Sequence, residues 1–153
     1  MSVLNYTTQI APTKTIGEVQ ALLAKHGASR IATDYTDGQP CGLTFALTTA
    51  HGLRLFTLPV DVDAMHRLLR SELRAGRLKN NKSRAVMESR EQAERVAWRV
   101  IKDWLAAQLA LVQTEMAALD QVMLPYLHAD NSGRTLYAAY LDRENVLALE
   151  GRS

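Results

Sequence analysis

The strongest constraint in this chain is residues 89–119, SREQAERVAWRVIKDWLAAQLALVQTEMAAL, which carry the periodicity of one long amphipathic helix. Apolar residues at Ala93, Val96, Ala97, Val100, Ile101, Trp104, Leu105, Leu111, Val112, Met116 and Leu119 recur mostly at steps of three and four. That spacing gathers side chains on one helix face. At a rise of 1.5 Å per residue, such a helix of about 30 residues runs roughly 45 Å, more than a domain of this size needs for its own core. Trp98 falls off the main stripe, and from Trp104 to Val112 the sequence is apolar nearly all the way round. A helix apolar on every side is buried on every side. The expectation is a second copy or another partner seated on Trp98, Trp104, Leu105, Leu109 and Val112. The competing reading is a C-terminal helix folded back over it through Tyr137, Tyr140 and Leu141.

The remaining elements follow from shorter patterns. Residues 3–10, VLNYTTQI, alternate well enough for a strand or an ordered arm. Thr13 or Thr15 can cap a helix over residues 16–25, with Glu18 completing a capping box on Thr15 and Gly27 closing it. Residues 29–36, 41–49 and 53–58 read as three strands, with Leu43, Phe45 and Leu47 on one face of the second. Asp37-Gly38 marks the first turn, loosened by Gln39-Pro40, and Ala50-His51-Gly52 the second. Asp61 or Asp63 caps a helix over residues 62–75 with Met65, Leu68, Leu69 and Leu73 inward. Residues 76–87 read as a basic loop, and residues 135–145 as a short final helix before a frayed tail. The order β-α-β-β-β-α-α-α predicts a single α+β domain over residues 1–153, an antiparallel meander of three to four strands packed by helices.

Composition narrows the function classes. Hydrophobic residues at 47% and charged ones at 22% are ordinary for a globular protein. One cysteine, Cys41, excludes an internal disulfide and a cysteine-based zinc site. No run approaches the length of a membrane span, and the N-terminus lacks the basic and apolar regions of a signal peptide, which predicts a cytoplasmic protein with no membrane partner. Phosphate-binding glycine loops, HExxH and GxSxG are absent. His26, His51, His66 and His128 lack ligand spacing and read as turn or surface residues. The pairs Asp61/Asp63 and Glu91/Glu94 sit where capping and dipole complementation account for them. No catalytic residue, metal site or cofactor is expected.

The basic segment carries more information. Arg67, Arg70, Arg74, Arg77, Lys79, Lys82 and Arg84 face a single acid, Glu72, and the first three share a helix face by spacing. Such a stripe suits a phosphate backbone, because each neutralised phosphate releases counterions. Arg90, Arg95, Arg99 and Lys102 extend it along the long helix. A stacking platform for bases needs Phe45, Phe56 and Tyr35 to face outward from the sheet. The competing reading is a solvated helix face followed by a solubilising loop.

The runs PTKTIGEVQALLAKHGA, DYTDGQP, EQAERVAWRVIKDWLAAQLALVQTEM, MLPYL and GRTLYAAY together resemble a widespread group of small uncharacterised proteins of bacteriophages and mobile elements. The resemblance covers nearly the whole chain, with AWRVIKDWLAAQLALV its most specific part. It implies a genomic setting and transfers no functional residue. The combined expectation is a non-enzymatic phage or mobile-element protein in the host cytoplasm. It would form a homo-oligomer through the long helix and bind nucleic acid through residues 67–84. The alternative is a module that docks on a host or defence protein through the apolar helix face.

Overall fold

The computed structural model describes residues 3–78 and 83–151, with the backbone alone for residues 145–150. The elements are α1 (Pro12–Lys25), β1 (Arg30–Thr36), β2 (Gln39–Thr49), β3 (Gly52–Pro59), α2 (Val62–Arg74), α3 (Arg84–Met87), α4 (Arg90–Gln113), α5 (Leu119–Met123), a 3-10 turn (Leu124–Tyr126) and α6 (Leu136–Glu150). The class is α+β, with a three-stranded antiparallel sheet and one long helix. Packing divides the chain into two compact units, Met1–Lys25 with Val60–Gln108 and His26–Pro59 with Leu109–Ser153.

In the first unit, the N-terminal segment takes the second of its two expected forms, an ordered arm rather than a strand. Residues 4–7 form a turn, with Asn5 at φ 63°, and residues 8–11 are irregular. Its carbonyls are taken elsewhere. Gln92, fully buried on α4, donates its amide to Tyr6 O at 2.9 Å and Thr8 O at 3.0 Å. Asn5 Nδ2 donates to Asp103 Oδ2 at 2.7 Å. A segment held this way has no use for a ladder. The sheet therefore keeps three strands.

α1 begins earlier than its threonines predict. Pro12 occupies the first helical position, where its fixed φ suits the helix and its missing N–H costs nothing. Thr15 is consequently inside the helix and fully buried, so no capping box forms on it, and Glu18 pairs instead with Arg99 of α4. Ile16, Val19 and Leu23 are the buried stripe, with Leu22 half-buried. Asp61 caps α2, accepting from Ala64 N at 2.9 Å. Beyond Gly76 the expected loop is only partly a loop. Ser83 caps the helical turn α3, and Leu78 and Met87 are buried anchors at either end.

In the second unit, Asp37 and Gly38 both take positive φ, 52° and 77°, and Thr36 pairs with Gln39. This is a two-residue hairpin, tighter than Gln39-Pro40 suggests. The proline is absorbed by a slip in register. Tyr35 pairs with Pro40 and Asp34 with Gly42, so Cys41 is the extra residue of a bulge. Leu43, Phe45, Leu47, Phe56 and Leu58 form the buried sheet face, with Phe45 and Phe56 stacked at 5.8 Å. β3 is covered on its far edge by a short rung, Phe56 opposite Leu127, with His128 N donating to Leu55 O at 2.9 Å.

α4 ends at Gln113, short of the Leu119 that periodicity suggests. Glu115 adopts φ 63°, its N–H meets Val112 O at 3.1 Å, and Met116 N–H reaches back to Leu111 O at 3.1 Å. This is a Schellman termination without its usual glycine. Glu115→Gly removes the left-handed strain on a side chain at the cost of a freer unfolded chain. We expect it to raise unfolding free energy by about 0.5 kcal/mol, read by urea titration. α6 is longer than the expected short helix and runs to Glu150.

Candidate functional site

The seven basic residues of the segment do not form one surface. Arg67, Arg70 and Arg74 are exposed on one face of α2 and, with Ser71, line an open depression of about 360 Å³. Among the described residues none of the three has an acidic partner in an ion pair. Arg77 is different. Its Nε and Nη2 meet Glu72 at 2.5 and 3.1 Å, a two-pronged contact that neutralises both groups. The bond from Arg77 holds the Glu72 carboxyl below its ordinary value, and the same bond raises Arg77. Arg84 pairs with Glu88 at 3.0 Å one helical turn on. Lys79 and Lys82 lie outside the described residues.

Among the described residues, three of the four residues of the expected extension along α4 are also engaged, Lys102 being the exception. Arg90 pairs with Asp63, Arg95 donates to Gln92 Oε1 at 3.1 Å, and Arg99 pairs with Glu18. Arg90 and Arg99 tie α4 to α2 and α1, and Arg95 is engaged within α4 itself. The Arg90 bond is the largest reason the Asp63 carboxyl sits below its usual value, and the charge of Arg67 adds to the effect. Burial, by contrast, pushes Glu94 up. Phe45 and Phe56 are on the buried face of the sheet, so the base-stacking platform that required them outward does not form.

The apolar residues of α4 fall mostly inside. Trp98, Leu105 and Leu109 are 0%, 0% and 1% exposed, while Trp104 and Val112 are half-buried. Trp98 lies off the main stripe of α4 and is nevertheless buried. A helix enclosed on several sides has more than one inward face, and Trp98 occupies another.

One constellation left no signal in the sequence. On the outer face of the sheet, Thr44 Oγ1 donates to Asp34 Oδ2 at 2.8 Å, Thr57 Oγ1 lies 3.0 Å from Thr44 Oγ1, and His128 Nε2 lies 2.6 Å from Thr57 Oγ1. Each hydroxyl carries one proton. Thr44 gives its proton to Asp34, so Thr57 donates to Thr44 and the His128 Nε2–H donates to Thr57. The row sets the protonated nitrogen and leaves Nδ1 the acceptor in the neutral ring. It spans all three strands and the 127–128 rung. His128 is 71 residues from Thr57, so only tertiary structure brings them together. His66 is likewise engaged, its Nε2 2.7 Å from Glu88 O. Among the described residues no group of three or more His, Cys, Asp or Glu side chains is placed to hold a metal ion, and no helix is long and apolar enough to cross a membrane.

Compared with family models, curated proteins and solved structures, this chain matches none.

Proposed function

We propose that this protein acts without catalysis, by holding a polyanion, in the first place nucleic acid, against Arg67, Arg70 and Arg74 of α2. The observation that supports this reading is that the three guanidinium groups share one exposed face and one depression and, among the described residues, lack acidic partners. Desolvating a cation that is already paired gains little from a phosphate, whereas an unpaired one gains the full attraction and counterion release. The arginines at 67, 70 and 74 rise about 10 Å along the helix, a length that meets several duplex charges at one per about 1.7 Å. Contact of this kind follows charge and leaves base identity unread. The resemblance to phage and mobile-element proteins supplies the setting proposed with it, the cytoplasm of a bacterial host.

The docking-module alternative rested on an apolar face of α4, and the burial of Trp98, Leu105 and Leu109 withdraws most of that face.

The test is a fluorescence-anisotropy titration of a short DNA duplex across a salt series. Three phosphate contacts at 0.9 each predict a slope of log affinity on log salt of about −2.7. The variant R67A/R70A/R74A is expected to bring that slope close to zero, while R77A/R84A, which removes arginines already paired, leaves it nearly unchanged. Undetectable binding at low salt, or an unaltered slope in the triple variant, overturns the proposal.

A further inference from the structure

The two edges of the sheet are treated differently. β3 has the 127–128 rung beside it, and β1 has no strand on its outer side among the described residues. An open edge presents a row of backbone donors and acceptors and is normally blunted by lysine, proline, a bulge or a cover. β1, with the sequence RIATDYT, has no lysine and no proline. Its register with β2 slips once, between Asp34 and Tyr35, where the extra residue is Cys41 of β2. Arg30, Ile31, Ala32, Thr33 and Asp34 pair in unbroken register with residues 42–46. The centre of this five-residue run is Ala32.

We propose that this edge pairs antiparallel with β1 of a second copy of the chain, about a two-fold axis at Ala32, to make a continuous six-stranded sheet. An isologous contact must be self-complementary, and this one is. A two-fold at Ala32 sets Arg30 opposite Asp34 of the copy, and Asp34 opposite the copy's Arg30. Alternation puts Arg30, Ala32 and Asp34 on one face, the outer one that also carries Thr44 and Thr57, so the opposed charges meet on the same side of the new sheet. Both groups have capacity to spare. Arg30 has no acidic partner among the described residues, and Asp34 receives Thr44 through Oδ2 only. At the axis, Ala32 faces its own copy, and two methyl groups present no obstacle. A shift of the axis by one residue to Thr33 sets Arg30 against Thr36 and Ala32 against Asp34, losing both charge pairs. The charges thus select the register about Ala32.

The pairing is small and predicts a weak dimer, with dissociation in the micromolar range. Sedimentation velocity on the full chain between roughly 5 and 200 µM is expected to show a concentration-dependent monomer–dimer equilibrium. R30D places carboxylate opposite carboxylate twice, and D34R places guanidinium opposite guanidinium twice. Each variant alone is expected to dimerise at least roughly tenfold more weakly. Mixed in equal amounts they restore both opposite-charge pairs in a heterodimer, and the double variant R30D/D34R restores them in a homodimer. Recovery in the mixture separates charge pairing from any loss of folding, because neither chain is changed between the two measurements. A wild-type chain monomeric throughout, single variants that dimerise as well as wild type, or a mixture that stays monomeric each overturns the proposal.

Discussion

Gln92→Leu is expected to lower the free energy of unfolding by about 3 kcal/mol, read by urea titration, although Leu has nearly the shape of Gln and is more apolar. Gln92 is wholly buried, yet its side chain is fully used. Nε2 donates to Tyr6 O and Thr8 O, and Oε1 accepts from Arg95 Nε. Leu leaves two carbonyls without their donor, and an unsatisfied buried polar group costs about 1–3 kcal/mol. Added hydrophobic burial offsets a part of that, since only a terminal amide is exchanged for a methyl pair. The loss is expected to be accompanied by faster proteolysis and hydrogen exchange across residues 3–10, because those carbonyls fasten the segment. A loss under 1 kcal/mol for Gln92→Leu sinks the claim that this side chain fastens the N-terminal segment.

Trp98 is expected to give opposite answers to two truncations. It is 0% exposed, and its Nε1 is buried with no hydrogen-bond partner among the described residues. Trp98→Ala opens a large cavity and is expected to cost about 3–5 kcal/mol. Trp98→Phe removes fewer atoms and also removes the orphaned donor. The lost packing and the relieved donor are each on the order of 1–3 kcal/mol, so the net change is expected to stay within about 1 kcal/mol of zero. Chemical denaturation followed by far-ultraviolet circular dichroism measures both without relying on tryptophan emission. Equal damage from the two substitutions means that the indole N–H is satisfied in solution, contrary to the structure.

These two residues mark where periodicity stops being informative. The three-and-four spacing of residues 89–119 identified a long helix, and alternation at Leu43, Phe45 and Leu47 identified the buried face of a strand. Asp61 before an apolar stripe located the start of α2. Each is a local pattern, set by the pitch of a helix, the pleat of a strand or the reach of a side chain to the next turn of backbone. Two other local patterns left the outcome open. Glu115 ended α4 where no glycine announced it, and VLNYTTQI alternates like a strand but has its carbonyls bound by Gln92.

What the sequence determined by itself was therefore the class of fold, the identity of the long helix and the placing of Arg67, Arg70 and Arg74 on one face of α2. Only the tertiary structure decided which cations are free. Arg77, Arg84, Arg90 and Arg99 read the same as those three in one dimension, and ion pairs with Glu72, Glu88, Asp63 and Glu18 set them apart. It also brought Asp34, Thr44, Thr57 and His128 into one hydrogen-bonded row, left β1 without an outer strand among the described residues and turned Trp98 inward. The physical reason is common to all of these. A side chain's own chemistry is written at its position, but whether its charge or hydrogen-bonding capacity is spent depends on partners brought to it by folding, often from dozens of residues away.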